Sequence, residues 1–141
     1  VIAIKGDYNY ALVAYDEYTI FAYTDDVGDT YAATTAGFND GAWHHIVGVY
    51  DGTELLLYVD GSLAASESAG STPQTNADYL FIGGVGPGNY NLDGDIDQIR
   101  IHNFDLTSAE VAELYSSPPA CMPSNNLALD GIATASDIYN A

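Results

Sequence analysis

The stretch Ala42–Gly61, AWHHIVGVYDGTELLLYVDG, leaves a chain few folding options. Two β-branched and aromatic runs, Trp43–Tyr50 and Glu54–Val59, are each followed by an Asp-Gly pair, Asp51-Gly52 and Asp60-Gly61. Asp-Gly suits the positive φ that tight reversals require, so the spacing predicts a β-meander. Alternation places Trp43, His45, Val47 and Val49 on one face, with Leu55, Leu57 and Val59 as their expected partners.

The flanking sequence has the same grain. Val1–Lys5, Tyr8–Ala14, Tyr18–Tyr23 and Asp29–Thr35 read as strands before the meander, and Ser62–Ser68, Tyr79–Ile82 and Asp95–His102 as strands after it. Nine short strands at this spacing predict an all-β sandwich. One helix is expected. Thr107 and Glu110 form a capping box, Leu106 and Val111 a hydrophobic staple, and Ser116-Ser117-Pro118-Pro119 ends the helix after Tyr115.

Charge narrows the function. The chain of 141 residues carries 20 Asp and Glu against 2 Lys and Arg, a net charge of -18. Nothing here can neutralise phosphates, so nucleic acid and anionic membrane surfaces are excluded as partners. No apolar run approaches the ~20 residues of a membrane span, so no membrane insertion is expected. The acidity suits three roles that do not exclude one another: hydration in an extracellular or saline setting, divalent-cation binding, and attraction of a cationic partner. The single cysteine, Cys121, cannot form an internal disulfide.

Taken together, Trp43-His44-His45, Tyr58–Gly61, Ile82-Gly83 and Gly94–Ile101 followed by a short helix resemble the laminin-G-like, concanavalin A-like jelly-roll domain of secreted proteins. The resemblance implies an antiparallel two-sheet jelly-roll sandwich over residues 1–117, an extracellular or cell-surface location, a glycan or surface protein as partner, and structural Ca²⁺. It also implies strands that would precede Val1, so the sandwich is expected to be incomplete at that side. Residues 118–125 read as a Pro-rich linker. Residues 126–141 form a β-prone tail similar to the first strand of a discoidin-type domain.

Site candidates follow from both readings. Asp93-Gly94-Asp95-Ile96-Asp97 sets three carboxylates at alternate positions, without the glycine and distal glutamate of an EF-hand. If Ile99 and Ile101 point inward, Asp97 goes with them, and a buried carboxylate needs donors or a metal. The resemblance implies Ca²⁺ at Asp97, while Asp95 and Asp93 accompany it as more solvated candidates. His44 and His45 lie on opposite strand faces and cannot share an ion; His45 is expected in the core. Asp25, Asp26 and Asp29 read as a solvated acidic loop. The loop Gly83–Gly88 is no phosphate cradle, lacking the Lys-Ser/Thr and the helix; with Asn89 and Tyr90 it is either a rim for a sugar or a plain connection. No spacing marks a catalytic pair or triad, so a non-catalytic carbohydrate-binding or adhesion module is expected. The alternative is a building block of a surface layer or fibre, self-assembled by strand complementation through its terminal strands.

Overall fold

A computed structural model describes residues 1–6, 9–15, 17–26, 28, 30–38, 40–69, 72–74, 77–85, 90–117 and the backbone of 138–140. Two antiparallel five-stranded sheets face each other. In the first, β1 (Ala3–Lys5), β2 (Tyr10–Ala14), β3 (Tyr18–Thr24) and β4 (Thr30–Ala36) lie side by side, and β8 (Leu80–Ile82) closes the other edge beside β1. The second runs in the order β7 (Ser62–Ser68), β6 (Glu54–Val59), β5 (His44–Tyr50), β10 (Ile138–Asn140), β9 (Ile96–Asp97). The predicted all-β sandwich is therefore observed. The expected strand over 95–102 is cut to two residues, and a short strand from the tail is added.

The inner faces meet in one apolar layer. Ile2, Leu12, Tyr23 and Ala33 from the first sheet pack with Ile46, Leu55 and Leu57 from the second. Tyr23 is central, with its ring centroid 5.1 Å from that of Tyr50 and 5.5 Å from that of Tyr31. Burying such side chains contributes roughly 1.5–3 kcal/mol each.

The meander forms, but its faces pair differently from the expectation. Tyr50 lies opposite Leu55, Gly48 opposite Leu57, and Val47 and Val49 opposite Tyr58 and Leu56. Asp51–Glu54 bridge the paired Tyr50 and Leu55, so odd positions of one strand meet even positions of the other. Leu55, Leu57 and Val59 thus share their face with Tyr50, Gly48 and Ile46. Val47 and Val49 do not belong there. They turn to the sheet's outer side, where Val49, Tyr58 and Val111 form a second cluster with Val47, Leu56 and Leu106. Both faces of β5 are covered, which is why alternation alone could not choose between them.

Val111 belongs to α1 (Ser108–Ser116), which lies over this outer face. Its capping box is as the sequence predicts: the Glu110 amide donates to Thr107 Oγ1, and the Thr107 amide donates to Glu110 Oε2 at 2.7 Å. The Leu106 and Val111 staple forms as well. At the far end Tyr115 stacks on buried His45 and crowds Gly61, where a Cβ would lie 3.0 Å from the ring. Gly61 also holds φ 76, so two independent constraints select glycine there.

Gly48 is selected by space alone. A Cβ at this position would overlap the Phe21 ring, which lies across β5 from the opposite sheet. Gly48→Ala is expected to lower unfolding free energy by ~1–3 kcal/mol, the usual cost of overpacking. Urea titration of Gly48→Ala, Phe21→Ala and the double variant checks this: the Gly48 cost should largely vanish once the ring is gone.

Candidate functional site

Asp97 is exposed, which corrects the expectation that it turns inward with Ile99 and Ile101. The cause is Gln98, whose φ of 51 interrupts the alternation. Ile96 and Ile99 pack against the inter-sheet core instead, and Ile101 is 42 % exposed. The Asp97 carboxylate accepts the Gln98 amide at 2.8 Å, so a neighbouring backbone donor satisfies it. Asp93 and Asp95 are exposed too. Among the described residues no three His, Cys, Asp or Glu side chains converge as ligands, so Asp93, Asp95 and Asp97 do not make a cage among themselves.

The glycine loop stands on a pinned base. Leu92 donates its amide to the Gly83 carbonyl at 2.9 Å, and Gly83 in turn donates to the Ile2 carbonyl. Asn91 presses so close to Gly84 that a side chain at 84 would overlap it. The Tyr90 carbonyl accepts the Val1 nitrogen at 2.9 Å. Tyr90 itself has φ 50 and is 68 % exposed. A left-handed conformation costs a non-glycine residue ~1–2 kcal/mol, and here hydrogen bonds around the base fix it. The result is an aromatic face presented to solvent from a firm support. Asn89 lies outside the described residues, as does Asp29.

Asp25 departs from the solvated loop expected of it. Its side chain is fully buried, in an isolated bridge opposite Pro73. Beside it, buried Asn9 donates to the Gln74 carbonyl and to Gln74 Oε1 at 3.2 and 3.1 Å, and the Gln74 amide donates to the Thr24 carbonyl. Residues 72–74 thus lay a strip of polar backbone over the end of the first sheet. No local pattern around Asp25 announces this, because the covering strip lies some fifty positions downstream.

His44 is the hub of a polar clasp that sequence reading missed. Nδ1 faces Asp60 Oδ2 at 2.9 Å and Nε2 faces Asp40 Oδ1 at 3.1 Å, with the Phe38 ring centroid 5.0 Å away. Asp60 Oδ1 accepts the His45 amide, and the Asp60 amide donates back to the His45 carbonyl. Partial desolvation pulls the His44 pKa down, but hydrogen bonds to Asp60 and Asp40 and their negative charges outweigh it and hold it above 6.5. A neutral ring would aim a lone pair at one carboxylate. Asp40 is lowered below 3.8, chiefly by the Ala42 amide and then by His44.

A concavity lies elsewhere. On the side of β5 away from β6, β10 pairs only with His44, His45 and Ile46. Beyond that point Val47–Val49 have no strand partner on this side among the described residues, and a cleft of about 560 Å³ opens. Leu12, Phe21 and Tyr23 line it from the core, Ile99–Leu106 form another wall, and Asp51, Arg100, His102 and Asp105 supply polar groups. Its parts come from β1, β2, β3, β5 with the turn after it, Pro73 and the segment after β9, so no contiguous motif encodes it.

A family model, Laminin_G_3, described as the concanavalin A-like lectin/glucanases superfamily, matches residues 1–112. No curated protein and no solved structure matches the chain.

The clasp has a pH signature. His44, with its raised pKa, contributes stability that is fully present below about pH 6.5 and is lost as pH rises through the folded value. Asp40, lowered, contributes stability that is present above its unfolded pKa of about 3.8 and lost as pH falls through the folded value. Urea midpoints of the wild-type chain should therefore exceed those of His44→Gln most clearly between about pH 4 and 6.5, with the gap narrowing on either side.

Proposed function

Because the chain belongs to the Laminin_G_3 family of the concanavalin A-like lectin/glucanase superfamily, we propose that it is a non-catalytic carbohydrate-binding or adhesion module working outside the cell. Tyr90 carries the reading. An exposed aromatic ring held by a fixed backbone suits the C–H face of a pyranose, which packs on the π-face of such rings, and ordering it in advance lowers the cost of binding. Tyr79, 79 % exposed beside β8, offers a second ring on the same sheet's edge region.

Several of the acids are engaged structurally. Asp51 accepts from Thr53 and Glu54, Glu110 caps α1, Asp40 and Asp60 hold His44, and Asp97 holds Gln98. These roles support binding without turnover. Calcium at Asp97 belongs to the same proposal; its further ligands would be backbone carbonyls and water, since Asp93 and Asp95 do not gather around it. As for the alternative of subunits joined by strand exchange, β10 here sits in its own chain's sheet.

A glycan array probed with the purified chain, in Ca²⁺ and again in chelator, tests the reading. Binding to a glycan class that weakens about tenfold in Tyr90→Ala, a loss of ~1.4 kcal/mol, is the expected result. Loss of binding in chelator and in Asp97→Asn would assign Ca²⁺ to that residue. No binding in either condition, or polysaccharide hydrolysis by the chain, would overturn the reading.

A further inference from the structure

We infer that Tyr15 and Tyr18 form an oxidative cross-linking site, at which a haem peroxidase using hydrogen peroxide couples their two phenol rings into a dityrosine within one chain.

The two tyrosines close the hairpin between β2 and β3. The Tyr15 amide donates to the Tyr18 carbonyl at 2.8 Å, and Ala14 lies opposite Thr19 on the next rung. Tyr15 therefore continues the side of β2 that carries Val13, and Tyr18 the side of β3 that carries its partner Ile20. Both rings stand on one face of the sheet. Their centroids are 4.7 Å apart and their planes tilt by 42°, at the close end of the range for aromatic pairs. They are 37 % and 38 % exposed, so a reagent in solution reaches both.

Other tyrosines lack this combination. Tyr23 also lies close to Tyr31 and Tyr50, but it is 1 % exposed in the core. Tyr79 is well exposed, yet the ring beside it is Phe81, which has no hydroxyl to oxidise.

The coupling balances with peroxide as the oxidant. The peroxidase takes one electron and one proton from each phenol, and hydrogen peroxide is reduced to two waters. Each phenoxyl radical carries spin on the ring carbons flanking the C–O carbon, Cε1 and Cε2. A bond forms between one such carbon of each ring, and the hydrogen on each coupled carbon moves to its oxygen, which restores both hydroxyls. The hairpin already holds the rings together, so the radicals meet without diffusion. Coupling between chains is opposed by the charge of -18 on each. The chain has one cysteine and can form no internal disulfide, whereas a dityrosine here would keep the two strands joined through a cut after Glu17. So short a loop restrains the unfolded chain little, so the tie guards the turn against cleavage and adds little stability.

The test treats the dilute full chain with a plant haem peroxidase and hydrogen peroxide, under conditions that couple free tyrosine. The product should stay monomeric and gain dityrosine fluorescence. It is then unfolded and digested with a glutamyl endopeptidase, which cuts after Glu17 and Glu54; no glutamate precedes Glu17. Residues 1–17 and 18–54 separate in untreated protein and should remain joined after treatment, at a mass two hydrogens below their sum. Tyr15→Phe and Tyr18→Phe should each lose the joined product, and Tyr79→Phe should keep it. Separation of the two fragments after treatment, survival of the joined product in Tyr15→Phe or Tyr18→Phe, or dityrosine confined to dimers would overturn the inference. The readout is covalent, so it does not depend on glycan binding.

Discussion

The contact between the Phe21 ring and the bare backbone at Gly48 governs the arrangement of this sandwich. It sets how near the two sheets come, and it commits the even positions of β5 to the interior. Once Ile46, Gly48 and Tyr50 face inward, His45, Val47 and Val49 face outward and need cover of their own. α1 provides it, through Val111 and Tyr115. The helix is thus a consequence of how β5 is turned, and its capping box gives it a fixed starting point.

Polar groups are disposed to hold chain reversals. Asp60 ties the end of β6 to the start of β5 by a backbone exchange with His45 and by its second oxygen to His44. Asp51 performs a related task at the opposite end of the same hairpin, binding the amides of the loop it begins. Each carboxylate replaces water as acceptor for backbone donors that the turn leaves unpaired. In a chain so rich in acid, these few residues turn negative charge into local order, while the remainder stays solvated.

The strands and the helix were legible because each rests on local chemistry: β-branched runs, Asp-Gly reversals, and the Thr107–Glu110 spacing. What escaped was set by single dihedral angles and by distance along the chain. Gln98 at φ 51 turned Asp97 out to solvent, and nothing about glutamine at that position signals a left-handed backbone. The pairing parity of β5 and β6 depended on how many residues separate Tyr50 from Leu55, a detail that Asp51-Gly52 alone does not settle. Asp25 looked like part of a wet loop until residues near Pro73 covered it. Tyr90 could be named from its glycine surroundings, whereas the cleft beside β5 draws on six separate segments and has no signature in any of them.

The scarcity of cations has an outcome for proteolysis. Lys5 and Arg100 are the only basic side chains other than histidine. Lys5 lies in β1 between two strands, its ammonium donating to the Asp78 carbonyl at 2.6 Å, and Arg100 is partly buried and donates to Gln98. Proteases that cleave after lysine or arginine need an extended, accessible stretch around the scissile bond, and Lys5, paired on both sides, does not supply one while the sheet is intact. The same composition that keeps the surface hydrated thereby removes most of the sites at which a trypsin-like enzyme would begin.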